Sequence, residues 1–248
     1  LLVNGREPDF SGEPLHVAFV GAPFQATALD GQEINKPQEI AANSQLLPIG
    51  MAQRVDIEFI MPQTGNVQIF EVENLQTTTI GQGQIPTPPN LNTLPLFSFL
   101  NYGTPTTDRI LVRDTFDADY TLTVGPDLSV NGQLFPNIPN LIFKQDQLIR
   151  IRYVNNSAFV HPLHLHGHFY SVLSLNDQPL TGSPIYIDSI TVRPNESVEV
   201  GVHATNPGVW MVHCHVLNHA AAGLTFMAHY NNVFTPYKFG GDSGNHPE

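Results

Sequence analysis

Seven of the chain's eleven histidines and its only cysteine fall in two short runs. The first reads His161-Pro162-Leu163-His164-Leu165-His166-Gly167-His168; the second reads His213-Cys214-His215-Val216-Leu217-Asn218-His219 and leads to Gly223-Leu224. On an extended strand, side chains at i and i+2 share a face while i+1 points the other way. His164 with His166, and His213 with His215, therefore project as imidazole pairs, and Cys214 points away from its two neighbours. A thiolate with two imidazoles suits copper in a trigonal site with a weak or absent axial group. His161 and His219, out of register with the paired imidazoles, are the natural partners of Cys214. The pairs then form one side of a second, nitrogen-rich metal site, joined to the first by adjacent residues of one strand. Zinc also takes histidine and cysteine donors, but strand alternation around a single cysteine favours copper. Buried structural histidines would not cluster in this way.

The elements that position these side chains must be strands. Period-2 alternation marks Arg54 to Phe59, Ile149 to Val154 and Ser197 to Val202, each bounded by Pro, Gly, Asn or Asp, as in half-buried strands of a sandwich or barrel. One short helix is expected around Asn218 to Ala222. A Pro-, Asn- and Thr-rich stretch from Gln82 to Thr107 reads as a linker or long connection. The expected division is a first domain over 1–104, a linker over 105–116 and a second domain over 117–248. The fold class is all-β, with two Greek-key β-sandwich domains.

The halves repeat each other. Val3-Asn4-Gly5 pairs with Val130-Asn131-Gly132, Leu29-Asp30-Gly31-Gln32 with Leu175-Asn176-Asp177-Gln178, and Val55 with Val198, at offsets of 127, 146 and 143. The jump from 127 to 146 leaves the strand-like Ile149 to Val154 with no early counterpart. It predicts an incomplete first domain, with a stretch missing near residues 10–13. Aligned this way, Phe70-Glu71-Val72 stand opposite His213-Cys214-His215, and Leu15, Ala18 and Val20 opposite His161, His164 and His166. The first domain is expected to hold no copper.

The net charge of −12 argues against nucleic acid or anionic lipid as partner. Charged residues at 13% beside 41% hydrophobic ones exclude a highly charged disordered chain. No apolar run approaches the ~18 residues of a membrane span. A lone cysteine excludes an internal disulfide. The chain opens on Leu1 without a charged, then apolar, leader, so any signal peptide is expected to have been removed.

HPLHLHGH followed by HCHVLNHAAAGL resembles the two C-terminal copper motifs of the multicopper oxidases, the laccase-like family. The match covers about residues 116–235, and the first half resembles, more weakly, the family's middle cupredoxin domain. The resemblance implies that both domains are of the cupredoxin type. It implies that His161, Cys214 and His219 bind a type 1 (blue) copper, His164 the type 2 copper, and His166, His213 and His215 the type 3 pair. It also implies that a phenolic, amine or metal-ion donor gives up electrons singly at the blue site. They would then pass through Cys214, His213 and His215, and O2 would be reduced to water at a trinuclear cluster. The family is usually periplasmic or secreted.

The chain departs from that pattern in places. Leu224, at the axial position, cannot coordinate, which implies a three-coordinate blue site with a raised potential. Asn218 stands where the family often has an acid, so a proton relay there has no support. A trinuclear cluster needs eight histidines and the motifs supply four, so an N-terminal cupredoxin domain or a neighbouring subunit is expected to supply four more. His168 is read as an outer or exposed residue, and His16, His203, His229 and His246 as ordinary surface or core residues. Trp210 is read as packing, and Asp188 as a cap with some potential to bond a ligand imidazole. The four methionines are scattered, so a cuprous-oxidase reading has little support. The alternatives are a non-catalytic blue-copper electron-transfer or copper-binding module, or a cupredoxin-fold fragment with no working site.

Overall fold

The computed structural model describes residues 1–4, 11–107, 115–236 and 243. The chain divides into two compact units. The first holds Pro14–Thr106 with the opening residues and Thr181–Ser183; the second holds Thr107–Leu180 and Pro184–Glu248 with residues 11–13. The core of the expected linker, residues 108–114, lies outside the described residues.

In the first unit the strands are β1 (Leu2–Val3), β2 (Leu15–Val20), β3 (Phe24–Leu29), β4 (Gln32–Glu33), β5 (Leu46–Ile49), β6 (Arg54–Phe59), β7 (Val67–Glu71) and β8 (Gln76–Ile80). They form two four-stranded sheets, ordered β1-β6-β3-β4 and β5-β2-β7-β8. The second unit contains β9 (Ala118–Val124), β10 (Leu141–Phe143), β11 (Leu148–Asn155), β12 (His161–Leu165), β13 (Tyr170–Leu175), β14 (Gln178–Pro179), β15 (Tyr186–Ile187), β16 (Ser189–Val192), β17 (Ser197–His203), β18 (Val209–Cys214), α1 (Leu217–Ala221) and β19 (Thr225–Tyr230). Its sheets run β10-β19-β18-β12-β16 and β14-β13-β17-β11-β9, with β15 on β13. Sequence neighbours in these orders are mostly not sheet neighbours, as Greek-key connections require.

Alternation explains the strands. In β11, Ile149, Ile151 and Tyr153 point inward and are buried, while Arg150 and Arg152 point out. Arg150 bonds Asp119, and Arg152 bonds Asp177 and Glu199, so the charged face is covered by opposite charge from neighbouring strands and the adjoining turn. Such exposed pairs contribute about 0–1 kcal/mol each; the apolar face carries the stability.

Strand register corrects the repeat. β1 pairs β6 through Leu2 opposite Val55 and Val3 opposite Arg54. β11 pairs β17 through Tyr153 opposite Val198 and Val154 opposite Ser197. Because Val55 matches Val198, the counterpart of Leu2-Val3-Asn4 is Tyr153-Val154-Asn155 and not the segment ending at Asn131. Side chains agree: Asn4 Nδ2 donates to the Ile49 carbonyl and Asn155 Nδ2 to the Val192 carbonyl, both at 2.9 Å. Ile49 lies opposite Leu15, and Val192 opposite His161. The strand 149–154 thus has an early counterpart, β1. Between the asparagine and the next strand the first copy is the longer one, eleven positions from Asn4 to Leu15 against six from Asn155 to His161. The inference of a stretch missing near residues 10–13 loses its premise; residues 5–10 themselves lie outside the described residues. The other offsets are supported by a shared irregularity, a register shift at Ala26/Ala28 in β3 and at Val172/Ser174 in β13.

The stretch 82–107 is also more than a connection. Leu91 and Leu94 pack on the cluster of Ala18, Val20 and Leu46, and Leu96 bridges to Leu46. The Tyr102 hydroxyl donates to the Gln38 carbonyl at 2.7 Å and accepts from the Ala26 amide at 3.0 Å. Its proline- and asparagine-rich composition hid these anchors.

Candidate metal centre

The two histidine runs meet because β12 and β18 are antiparallel neighbours, with Leu163 opposite Cys214, His164 opposite His213 and Leu165 opposite Val212. Directly opposite residues share a face. His164 and His213 therefore stand on one side of the sheet, and Cys214 stands on the other with Leu163 and, one pleat along, His161. α1 then returns His219 to the cysteine side.

On that side Cys214 Sγ lies 3.7 Å from His161 Nδ1 and 3.7 Å from His219 Nδ1. The three donor atoms lie within 4.8 Å of one another, all on buried residues. The second nitrogen of His161 is occupied, since Nε2 bonds Ser157 Oγ at 2.7 Å. The Val216 amide bonds the sulfur and favours its ionised form. Leu224 is fully buried, and its carbonyl accepts the Cys214 amide at 3.2 Å; its hydrocarbon side chain supplies no donor. This set of one sulfur and two imidazole nitrogens, dry and convergent, fits copper by donor chemistry.

On the opposite face the other four histidines are grouped. His166 Nε2 and His213 Nε2 are 3.1 Å apart, within hydrogen-bonding distance. Ring centroids are 4.8 Å apart for His164 and His166, 5.2 Å for His164 and His215, and 5.0 Å for His213 and His215. His164 Nδ1 donates to the Asp188 carbonyl at 2.7 Å, and His213 Nδ1 to the Cys214 carbonyl at 3.0 Å. Both bonds fix the tautomer that leaves Nε2 with a lone pair. Asp188 acts through its backbone; its carboxylate oxygen is 3.7 Å from His164 Nδ1.

The remaining residues fall into place. Both nitrogens of His168 are engaged, Nδ1 with the His166 carbonyl at 3.1 Å and Nε2 with the Tyr230 hydroxyl at 2.8 Å. It is therefore a buried brace for the His166 backbone, and burial pushes its pKa down. Trp210 covers Gly167, where an added Cβ would come within 2.7 Å of the indole; Gly167 also has φ +68°, so glycine is required there twice over. His229 Nε2 donates to the Val233 carbonyl and His16 Nδ1 meets Glu73, neither part of a metal-type group among the described residues. His203 lies half-buried on β17, and His246 lies outside the described residues. Sequence reasoning missed Ser157 and the amide of Val216, because their roles depend on loop geometry that no spacing rule reports.

Burial decides the protonation states. His161 is pushed down to about 3 by burial and the neighbouring His219. His213 is pushed down to about 4 by burial and the surrounding imidazoles. The Cys214 thiol is pushed up to about 12 by burial. These two imidazoles are thus neutral at neutral pH, whereas the thiol must release its proton to solvent when a metal binds. A stability prediction follows for the copper-free chain. Above the unfolded value of about 6.5 these two histidines cost nothing in either state; as pH falls toward 3–4 the unfolded chain takes up protons that the folded one refuses. Stability is therefore full above pH ~6.5 and is lost by about 1.4 kcal/mol per pH unit for each histidine. Unfolding free energies from denaturant titrations at pH 7.5 and pH 5 should differ by about 2 kcal/mol per histidine, and His213→Gln should remove its share.

The first unit shows the same positions without metal chemistry. In its register Ala18 stands opposite Phe70, as His164 stands opposite His213. Ala18 and Val20, with Phe70 and Val72 packed against them, form one apolar cluster at the sites matching His164, His166, His213 and His215.

A family profile described as multicopper oxidase matches residues 102–232, more than half of the chain. Multicopper oxidase MmcO of Mycobacterium tuberculosis is 26% identical over 265 aligned positions, covering 92% of this chain and 50% of that protein. Iron transport multicopper oxidase FET3 of Kluyveromyces lactis is 29% identical over 125 positions, covering 43% of this chain and 20% of that protein. The crystal structure of a laccase from Pediococcus acidilactici is similar with a TM-score of 0.67 at 21% identity, covering 88% of this chain and 47% of the laccase. That likeness shows the fold, two sandwiches of the cupredoxin type. The chain spans at most about half the length of these relatives. Profile, relatives and fold agree, and the chain belongs to the multicopper oxidase family.

Proposed function

We propose that this chain is the copper-bearing portion of an oxidase that takes electrons singly from a small donor and reduces O2 to water. His161, Cys214 and His219 would hold the type 1 copper, and the hydrocarbon side chain of Leu224 would add no donor. His164 would serve the type 2 copper, and His166, His213 and His215 the type 3 pair. Copper in such sites supplies one-electron redox chemistry at the first and O2 reduction at the second. The chain's own part is to bind, orient and connect: Cys214 reaches one face while its covalent neighbours His213 and His215 belong to the other, so a through-bond path crosses the sheet. The observation that carries this reading is the sulfur lying 3.7 Å from both Nδ1 atoms, back-to-back with the His164–His213 pair.

Four histidines are half of what a trinuclear site requires. An N-terminal cupredoxin domain or a neighbouring subunit would supply the other four, in keeping with the partial coverage of relatives. Donors of the phenolic, amine or metal-ion class fit the family; one relative is named for iron transport and one structural neighbour for laccase activity. A periplasmic or secreted location accompanies this reading, and no helix among the described residues is long and apolar enough to cross a membrane.

The test is the full-length protein loaded with copper. A strong red-visible absorption and O2 uptake with a phenolic or ferrous donor are expected. Absence of the absorption would overturn the type 1 assignment. Absorption without O2 uptake would replace the oxidase with a non-catalytic electron-transfer module.

A further inference from the structure

Ser157 lies on the loop between β11 and β12, buried, with its Oγ at the centre of four contacts. These are His161 Nε2 at 2.7 Å, Asn155 Oδ1 at 2.8 Å, the Phe159 amide nitrogen at 3.1 Å and the Phe159 carbonyl at 3.2 Å. A hydroxyl has one hydrogen and two lone pairs, so the arrangement can be solved. The Asn155 amide is oriented by its nitrogen, which donates to the Phe159 carbonyl at 2.7 Å and the Val192 carbonyl at 2.9 Å. Its oxygen therefore faces Ser157 and accepts from the Ser157 amide at 2.9 Å and from the hydroxyl. With its hydrogen committed to Asn155 and one lone pair taken by the Phe159 amide, Oγ has one lone pair left, and it faces His161 Nε2. That nitrogen must carry the proton, which puts the lone pair of the ring on Nδ1, toward Cys214.

The first unit separates the structural part of this network from the rest. Asn4 makes the same sheet-fastening bond to Ile49 that Asn155 makes to Val192, although Leu15 stands in place of His161. The amide nitrogen thus serves the fold in both copies. In the second copy the amide oxygen is turned to Ser157, and through it to the ligand ring.

We propose that Ser157, polarised by Asn155, is a positioning residue of the copper site: it holds His161 in the Nε2–H tautomer and biases the bound ion toward the cupric state. A buried acceptor on Nε2–H makes the opposite nitrogen a stronger electron donor, which favours the more highly charged ion. The inference rests on the type 1 assignment above, but its first readout needs no copper.

In the full-length, copper-free protein, nitrogen-15 NMR should show His161 as a single Nε2–H tautomer with a slowly exchanging proton. Ser157→Ala should give mixed tautomers and fast exchange, and Ser157→Thr should behave as the parent. With copper bound, Ser157→Ala should weaken cupric binding about tenfold relative to cuprous, at the low end of effects on partners of metal ligands. That ratio corresponds to a rise of about 59 mV in the type 1 potential. Ser157→Thr should leave the potential unchanged. If the alanine variant fails to fold, Ser157→Cys, similar in shape and a weaker acceptor, should shift both readouts in the same direction. A parent-like tautomer and potential in the folded alanine or cysteine variant would overturn the role of Ser157. A missing red-visible band in the parent protein would instead overturn the copper assignment and leave the tautomer result standing.

Discussion

Cys214→Ser is expected to remove the red-visible absorption and to stop electron delivery to O2, while leaving the fold in place. The serine is nearly isosteric, and position 214 is fully buried beside Leu163 and Val216, so packing changes little. What is lost is the soft, ionisable donor between two Nδ1 atoms. Changes to outer partners of metal ligands cost 10–100-fold in affinity; loss of the sulfur itself should exceed about 100-fold. Copper analysis with visible spectroscopy checks the first effect, and O2 uptake the second. Copper on the histidine-only face should be retained, because His164, His166, His213 and His215 are untouched. A variant that kept the visible band would remove Cys214 from the metal centre.

The largest stability effect outside the metal centre is expected at Tyr153. Its hydroxyl meets that of Tyr170 at 2.8 Å, with both side chains essentially inaccessible and burial raising the pKa of each. The two strands, β11 and β13, flank β17, and the rings pack edge-on with centroids 6.0 Å apart. Tyr153→Phe keeps the ring and strands the hydroxyl of Tyr170, a buried group that then costs about 1–3 kcal/mol. In a domain of this size each kcal/mol lowers the melting temperature by about 2–4 °C. Replacing both tyrosines by phenylalanine leaves no orphan and should recover most of the loss. Calorimetry of the three variants forms a double-mutant cycle, and purely additive losses would show that the hydroxyls do not act as a pair.

Much of this was legible from spacing alone. Alternation separates Cys214 from His213 and His215 in any strand, and His161 is one pleat along from the residue facing Cys214; the register of β12 on β18 realises both. The repeat was half legible. Val55 with Val198 and Leu29 with Leu175 hold in register, but Val3-Asn4-Gly5 was drawn to a chance identity at Val130-Asn131-Gly132. The true counterpart, Val154-Asn155-Asn156, differs at the third residue, and only a shared bond to the neighbouring strand reveals it. Backbone partners such as the Asp188 carbonyl, and loop side chains such as Ser157, carry no periodic signal, so they become visible only when the chain is folded.

The apolar cluster of Ala18, Val20, Phe70 and Val72 has a consequence for how the two sandwiches tolerate change. The first answers to packing alone, so any set of hydrocarbon side chains with a similar total volume would satisfy it. The second must meet a volume requirement and a chemical one at the same four places. Related scaffolds in one polypeptide are thus left with unequal freedom to drift: a substitution that is a minor repacking in one removes an imidazole in the other.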